Sequence, residues 1–124
     1  MFSHVMIGAD DVEAAKRFYD AVLGALGHAP GVMDERGRCF YRTRSGVFAI
    51  TKPLDGKPAS NGNGGTIGFT AASPEAADAW HAAGLANGGT AIEDPPGRRD
   101  GSGVYLAYLR DPAGNKVCAL HVIR

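Results

Sequence analysis

The feature that most constrains this chain is a repeat. HVMIGADDVEAAKRFYDAVLGALG, His4 to Gly27, lies over TIGFTAASPEAADAWHAAGLANGG, Thr66 to Gly89, at a shift of 62 residues with no gap. Val5 meets Ile67, Ile7 meets Phe69, Phe18 meets Trp80, Leu23 meets Leu85 and Gly27 meets Gly89. The shift is half of the 124-residue chain, so the sequence reads as a duplicated unit. Self-similarity at a fixed period restricts the fold to units that pack on their own copies.

Each copy reads as a strand, a capped helix and a glycine stop. In the first, Phe2 to Ile7 is short and apolar, and Asp10 or Asp11 caps the helix with Glu13 near its positive end. Val12, Ala15, Phe18, Tyr19, Val22, Leu23 and Leu26 recur at helical spacing and form one apolar face. Gly24 and Gly27 supply the left-handed residue that ends a helix. After a polar loop at 28–37, Cys39 to Thr43 and Val47 to Thr51 read as a hairpin around Arg44-Ser45-Gly46. Lys52 to Gly65, rich in Gly, Asn and Pro, separates the halves.

The second copy repeats the order. Thr66 to Thr70 is a strand, Ser73 caps a helix with Pro74 at its first position, and Asn87-Gly88-Gly89 stops it. A long loop at 93–103 precedes strands at Val104 to Leu109 and Lys116 to Val122, joined by a turn on Asp111-Pro112 and Gly114-Asn115. Trp80 and Tyr108 are assigned to the core, and packing accounts for Tyr19 and His81 at equivalent helix points. His28 and His121 have no partner identifiable from sequence.

Composition excludes some classes. Thirteen basic against thirteen acidic residues leave no net charge, which argues against a nucleic-acid partner. No apolar run approaches the roughly 20 residues that span a bilayer, and no basic-then-apolar start marks a secretory signal. A cytoplasmic location is expected, with Cys39 and Cys118 as free thiols.

The strand–helix carrying FY then LG, followed much later by Tyr105 to Leu120, YLAYLRDPAGNKVCAL, resembles the glyoxalase/bleomycin resistance/dioxygenase family, also called the vicinal oxygen chelate superfamily. That resemblance implies an α+β fold of two βαβββ modules forming an open, cup-shaped mixed β-sheet with helices outside. The expected division is one domain over 1–124, with module 1 about 1–55, a linker at 56–65 and module 2 about 66–124. Members often form homodimers, and the cup usually holds a divalent metal that chelates adjacent oxygens of a substrate. Some members only sequester a drug.

The resemblance also implies a ligand set. His4 matches the family's first histidine, Thr66 stands where a second is frequent, and Cys118 stands where a glutamate is common. Aligning VFAI at Val47 to Ile50 with VCAL at Val117 to Leu120 places Phe48 opposite Cys118. Only His4 of these is the family's residue. A catalytic divalent site needs about three good donors and an open position, which this set does not supply. No cofactor is therefore expected; a soft ion between His4 and Cys118 is the residual alternative.

Three functions compete. The first is a metal-free cup binding a small organic molecule through His4, Phe48, Thr66, Tyr105, Cys118 and Arg98. The second is a metal-dependent lyase or dioxygenase of the lactoylglutathione lyase kind. The third is a metal-free enzyme using His4, Tyr105 or Cys118 as acid, base or nucleophile. Arg98 and Arg99, in the 93–103 loop, are placed to fork onto an acidic ligand. The first reading is the one adopted from sequence.

Overall fold

A computed structural model describes residues 1–123. β1 (His4–Gly8) leads into α1 (Val12–Ala25), where Asp11 Oδ1 accepts the Ala14 N–H at 3.0 Å. Gly24 sits within α1; the helix closes at Leu26, and Gly27, at φ 97°, takes the left-handed turn that follows. β2 (Val32–Met33), β3 (Cys39–Thr43) and β4 (Gly46–Thr51) complete the first half. β5 (Ile67–Thr70) leads into α2 (Pro74–Ala86), where Ser73 Oγ accepts the Ala76 N–H at 3.1 Å and Pro74 opens the helix. β6 (Thr90–Ala91), β7 (Gly97–Arg98), β8 (Val104–Arg110) and β9 (Lys116–Val122) follow.

The strands form two open mixed sheets, in order β1-β4-β3-β2 and β5-β9-β8-β6, with β7 also pairing β8. β1 runs parallel to β4, and β5 parallel to β9; the other pairs are antiparallel. The repeat is thus a repeat of topology. The two-residue strands β2 and β7 fall in segments that read as loops, and β6 in the stretch between the helix stop and the second loop, because they are too short to show an alternating pattern.

Alternation sorts the strand residues onto two faces. Phe48, Ile50, Ala107, Leu109, Val117 and Ala119 join the core beneath the helices, together with Phe18, Tyr19, Val22 and Trp80. Their strand neighbours Ala49, Tyr108 and Cys118 therefore point to the face turned away from the helices. On that face Phe40 carries Arg42 at 4.4 Å and Arg38 at 5.2 Å over its ring, while Tyr108 carries Lys116 at 4.8 Å and Arg99 at 5.9 Å. Tyr108 is half-buried under these cations rather than in the core. Leu85, which the repeat aligns with the buried Leu23, is exposed.

The helices meet each other directly. A Cβ at Gly84 of α2 would lie 3.1 Å from both Phe18 Cε1 and Val22 Cγ1 of α1, and would also meet Leu109. Glycine is what permits this approach. The turn after β8 ties the halves further. Asp111 accepts from the N–H groups of Ala113 and Asn115, and Asn115 Nδ2 donates both to Asp111 Oδ2 at 3.0 Å and to the Gly8 carbonyl at 3.1 Å.

Candidate functional site

A hollow of about 460 Å³ opens between the halves. The end of α1 supplies Leu23 and Leu26, the β3–β4 hairpin supplies Thr43, Ser45 and Phe48, and β5 supplies the wall from Ile67 to Thr70. Its size falls in the ordinary range for small-molecule sites. Four aromatic rings back it: Tyr19 to Phe48 at 4.7 Å, Phe48 to Phe69 at 5.3 Å, and Tyr41 to Phe48 at 6.0 Å between centroids. Edge and tilted contacts of this kind fix ring positions beyond what burial alone achieves.

Tyr41 is held from the side. Its hydroxyl donates to Asp20 Oδ1 at 2.8 Å and to the Lys16 carbonyl at 3.3 Å, and the Gly31 N–H donates to Asp20 Oδ1 at 2.9 Å. Burial, the Asp20 hydrogen bond and nearby negative charge push the Tyr41 phenol far up. Burial opposes ionisation of Asp20, but Lys16, the Gly31 N–H and Tyr41 together hold its carboxyl below the usual range. A Cβ at Gly31 would lie 2.6 Å from the Tyr41 ring, so the chain passes there only as glycine.

Of the residues expected to bind a ligand, the hollow brings together two, His4 and Phe48. His4 is exposed at the rim, with Nδ1 and Ser3 Oγ 2.8 Å apart. Tyr105 shares the helix-side face with Ala107 and Leu109, and its hydroxyl donates to Asp78 Oδ1 at 2.7 Å. Arg98 is exposed in β7, its backbone paired with Tyr105. Arg99 turns back on its own loop, donating to the carbonyls of Asp94, Pro95 and Gly97. Thr66 is exposed ahead of β5. Cys118 lies behind β5, where a Cβ at Gly68 would sit 3.2 Å from its Sγ. Burial pushes both the Cys118 and Cys39 thiols up, with Lys116 opposing at Cys118. Both are free. His121 Nδ1 donates to the Ala71 carbonyl at 3.0 Å.

The lining that sequence reasoning missed includes Leu23, Leu26, His28, Ile67 and Phe69. Leu26 and His28 lie just past the end of α1, where they border the hollow.

The profile of the Glyoxalase/Bleomycin resistance protein/Dioxygenase superfamily matches residues 1–119. The chain belongs to this superfamily. A crystal structure of a glyoxalase/bleomycin resistance protein from Albidiferax ferrireducens T118 is 62% identical, covers 98% of each chain, and superposes with a TM-score of 0.93. A lactoylglutathione lyase from Agrobacterium tumefaciens, 24% identical over 98% of this chain and 92% of its own, superposes at 0.69 and shares the fold. So does a family enzyme from Burkholderia phytofirmans PsJN, 20% identical over 98% of each chain, at 0.75. No curated protein matches the chain.

The strand register revises the superfamily positions in this member. Val5 pairs with Phe48, and its repeat-mate Ile67 pairs with Val117. Phe48 therefore corresponds to Val117, and Cys118 corresponds to Ala49. The expected pairing of Phe48 with Cys118 is one residue out of step, which in a strand is the opposite face. The positions equivalent by register are His4, Ala49, Thr66 and Cys118: an imidazole, a methyl, a hydroxyl and a thiol kept protonated by burial. Among the described residues no three His, Cys, Asp or Glu side chains group so as to hold a metal ion. This donor set does not fit the superfamily's divalent site.

Proposed function

We propose that this superfamily member binds a small organic molecule in the hollow beside His4 and Phe48, independently of a metal. The observation that carries the reading is the donor set at the four register-equivalent positions, in which His4 is the one good ligand. A Lewis-acid centre needs about three. An aromatic-backed concavity with a few polar groups at its rim is the form such a ligand site takes. The competing lyase or dioxygenase reading requires donors that Ala49 and Thr66 do not offer. The metal-free enzyme reading is weakened by Tyr105, whose hydroxyl is engaged outside the hollow, and by the buried Cys118.

The test is metal analysis of the purified protein after exposure to Zn²⁺, Ni²⁺ and Mn²⁺, beside a His4→Ala variant. Sub-stoichiometric metal in both, and a melting temperature unmoved by chelator, is the expected result. One equivalent of metal that is lost in His4→Ala refutes it.

The same reading includes a homodimer. β1 and β5 each have a strand neighbour on one side only, and Phe2 and Met6 are exposed at and beside β1. Bare strand margins with apolar side chains favour pairing with another chain. Sedimentation velocity at micromolar concentration is expected to give twice the chain mass. Two free thiols fit the reducing cytoplasm.

A further inference from the structure

We propose that the ligand of the hollow is an uncharged, largely apolar molecule bearing a hydroxyl or carbonyl group, and that carboxylates, sulfonates and phosphates are turned away. This rests on the reading of the hollow as the ligand site, and it specifies the class of molecule admitted.

The argument is one of charge. None of the side chains lining the hollow is Lys, Arg, Asp or Glu. In a chain with thirteen basic and thirteen acidic residues, that is a marked local depletion. Moving an ionised group from water into such a lining is unfavourable unless a partner charge meets it. The cations beside the lining residues, in sequence or through a shared partner, do not themselves line the hollow. Arg42 stacks on Phe40, on the face of β3 opposite Tyr41, and Arg44 is exposed at the hairpin tip. Lys16 is held by Asp20 at 2.7 Å. The Tyr41 phenol stays neutral, and its hydroxyl is spent on Asp20.

The polar groups that remain are suited to neutral partners. The Thr70 hydroxyl, the Ser45 hydroxyl 3.2 Å from that of Thr43 (itself donating to the Gly46 carbonyl at 2.9 Å), and the His4 and His28 rings stand with the apolar Leu23, Leu26, Phe48 and Phe69. Nδ1 of His4 is engaged by Ser3, which leaves Nε2 for a ligand. A rim of hydroxyls and imidazoles over an aromatic and aliphatic floor recognises an uncharged hydroxyl or carbonyl on an apolar body.

A matched pair of fluorescent probes tests this. N-phenyl-1-naphthylamine and 8-anilino-1-naphthalenesulfonate share one skeleton and differ by a sulfonate. Both are titrated at pH 8, where imidazole in water is neutral. The neutral probe is expected to bind on the order of tenfold tighter or more, and Ser45→Arg, which brings a cation to the rim, is expected to erase most of that preference. Leu26→Trp and Thr70→Trp, which fill the hollow from two sides, should abolish binding of both probes; Thr70 is exposed, so the second leaves the core intact. Equal or tighter binding of the sulfonate, lost in the filled variants, overturns the neutral-ligand inference while the site stands. Binding of neither probe, or binding indifferent to both filled variants, overturns the site as well.

Discussion

Tyr19 of α1 donates its hydroxyl to Asp111 Oδ2 at 2.7 Å, across 92 residues of sequence and from one half of the molecule to the other. Both groups are buried, Tyr19 fully and Asp111 at 3% exposure. The carboxylate also takes the Ala113 and Asn115 N–H groups and Asn115 Nδ2, so its charge is met entirely by donors. Tyr19→Phe removes the one donor that comes from the first half. A loss of about 1–3 kcal/mol in urea unfolding is expected, as for a buried charged acceptor deprived of a partner.

The same tyrosine makes stability fall at alkaline pH. Burial and the Asp111 carboxylate push the Tyr19 phenol well up, and burial with Asp20 does the same at Tyr41. The unfolded chain therefore loses these protons first. Their contribution is complete below the ordinary phenol range near pH 10 and declines as pH rises beyond it. Melting temperatures followed from pH 8 to pH 11 should drop above about pH 10, less steeply in Tyr19→Phe and Tyr41→Phe.

Gly84→Ala places a methyl where α1 and α2 touch. With Phe18 and Val22 each 3.1 Å from the new carbon, a destabilisation of about 1–3 kcal/mol is expected despite alanine's better helix propensity. A neutral or stabilising result by thermal melt would show that the helices can part without cost.

Cys118 should resist alkylation. It is 5% exposed and its thiol is pushed up by burial, so iodoacetamide at pH 7.5 is expected to label it only when denaturant is added. Rapid labelling of the native protein, located by peptide mass mapping, would revive the nucleophile reading.

Tyr105→Phe should leave probe binding in the hollow unchanged within about twofold, because the lost hydroxyl served Asp78 on α2. A larger loss in a fluorescence titration would mean that Tyr105 reaches the ligand after all.

Much of the fold was legible because the repeat carries periodicities of two kinds. Asp10 or Asp11 and Ser73 announced the helices, the FY stripe announced the buried face of the first, and both hairpins followed their turn residues. β2, β6 and β7 were not legible, since two residues of strand carry no alternation. The site was less legible than the fold, for two physical reasons. Strand alternation turns a single misaligned residue into the wrong face, which is how Phe48 took the place that belongs to Ala49. Hollows are bordered by the ends of elements, and nothing in the spacing of Leu26 or His28 distinguishes an uncovered helix end from a packed one. Tyr105 failed as a candidate because its partner, Asp78, is contributed by a helix whose rotation the sequence left open.

The bonds from Asn115 to Gly8 and from Tyr19 to Asp111 have a consequence for the segment running from Lys52 to Gly65. Adhesion between the halves resides in buried side chains, not in the covalent tether. A nick in that tether should leave two fragments that stay clasped and co-elute, making the position a natural place to open the ring of a circular permutant or to divide the gene in two.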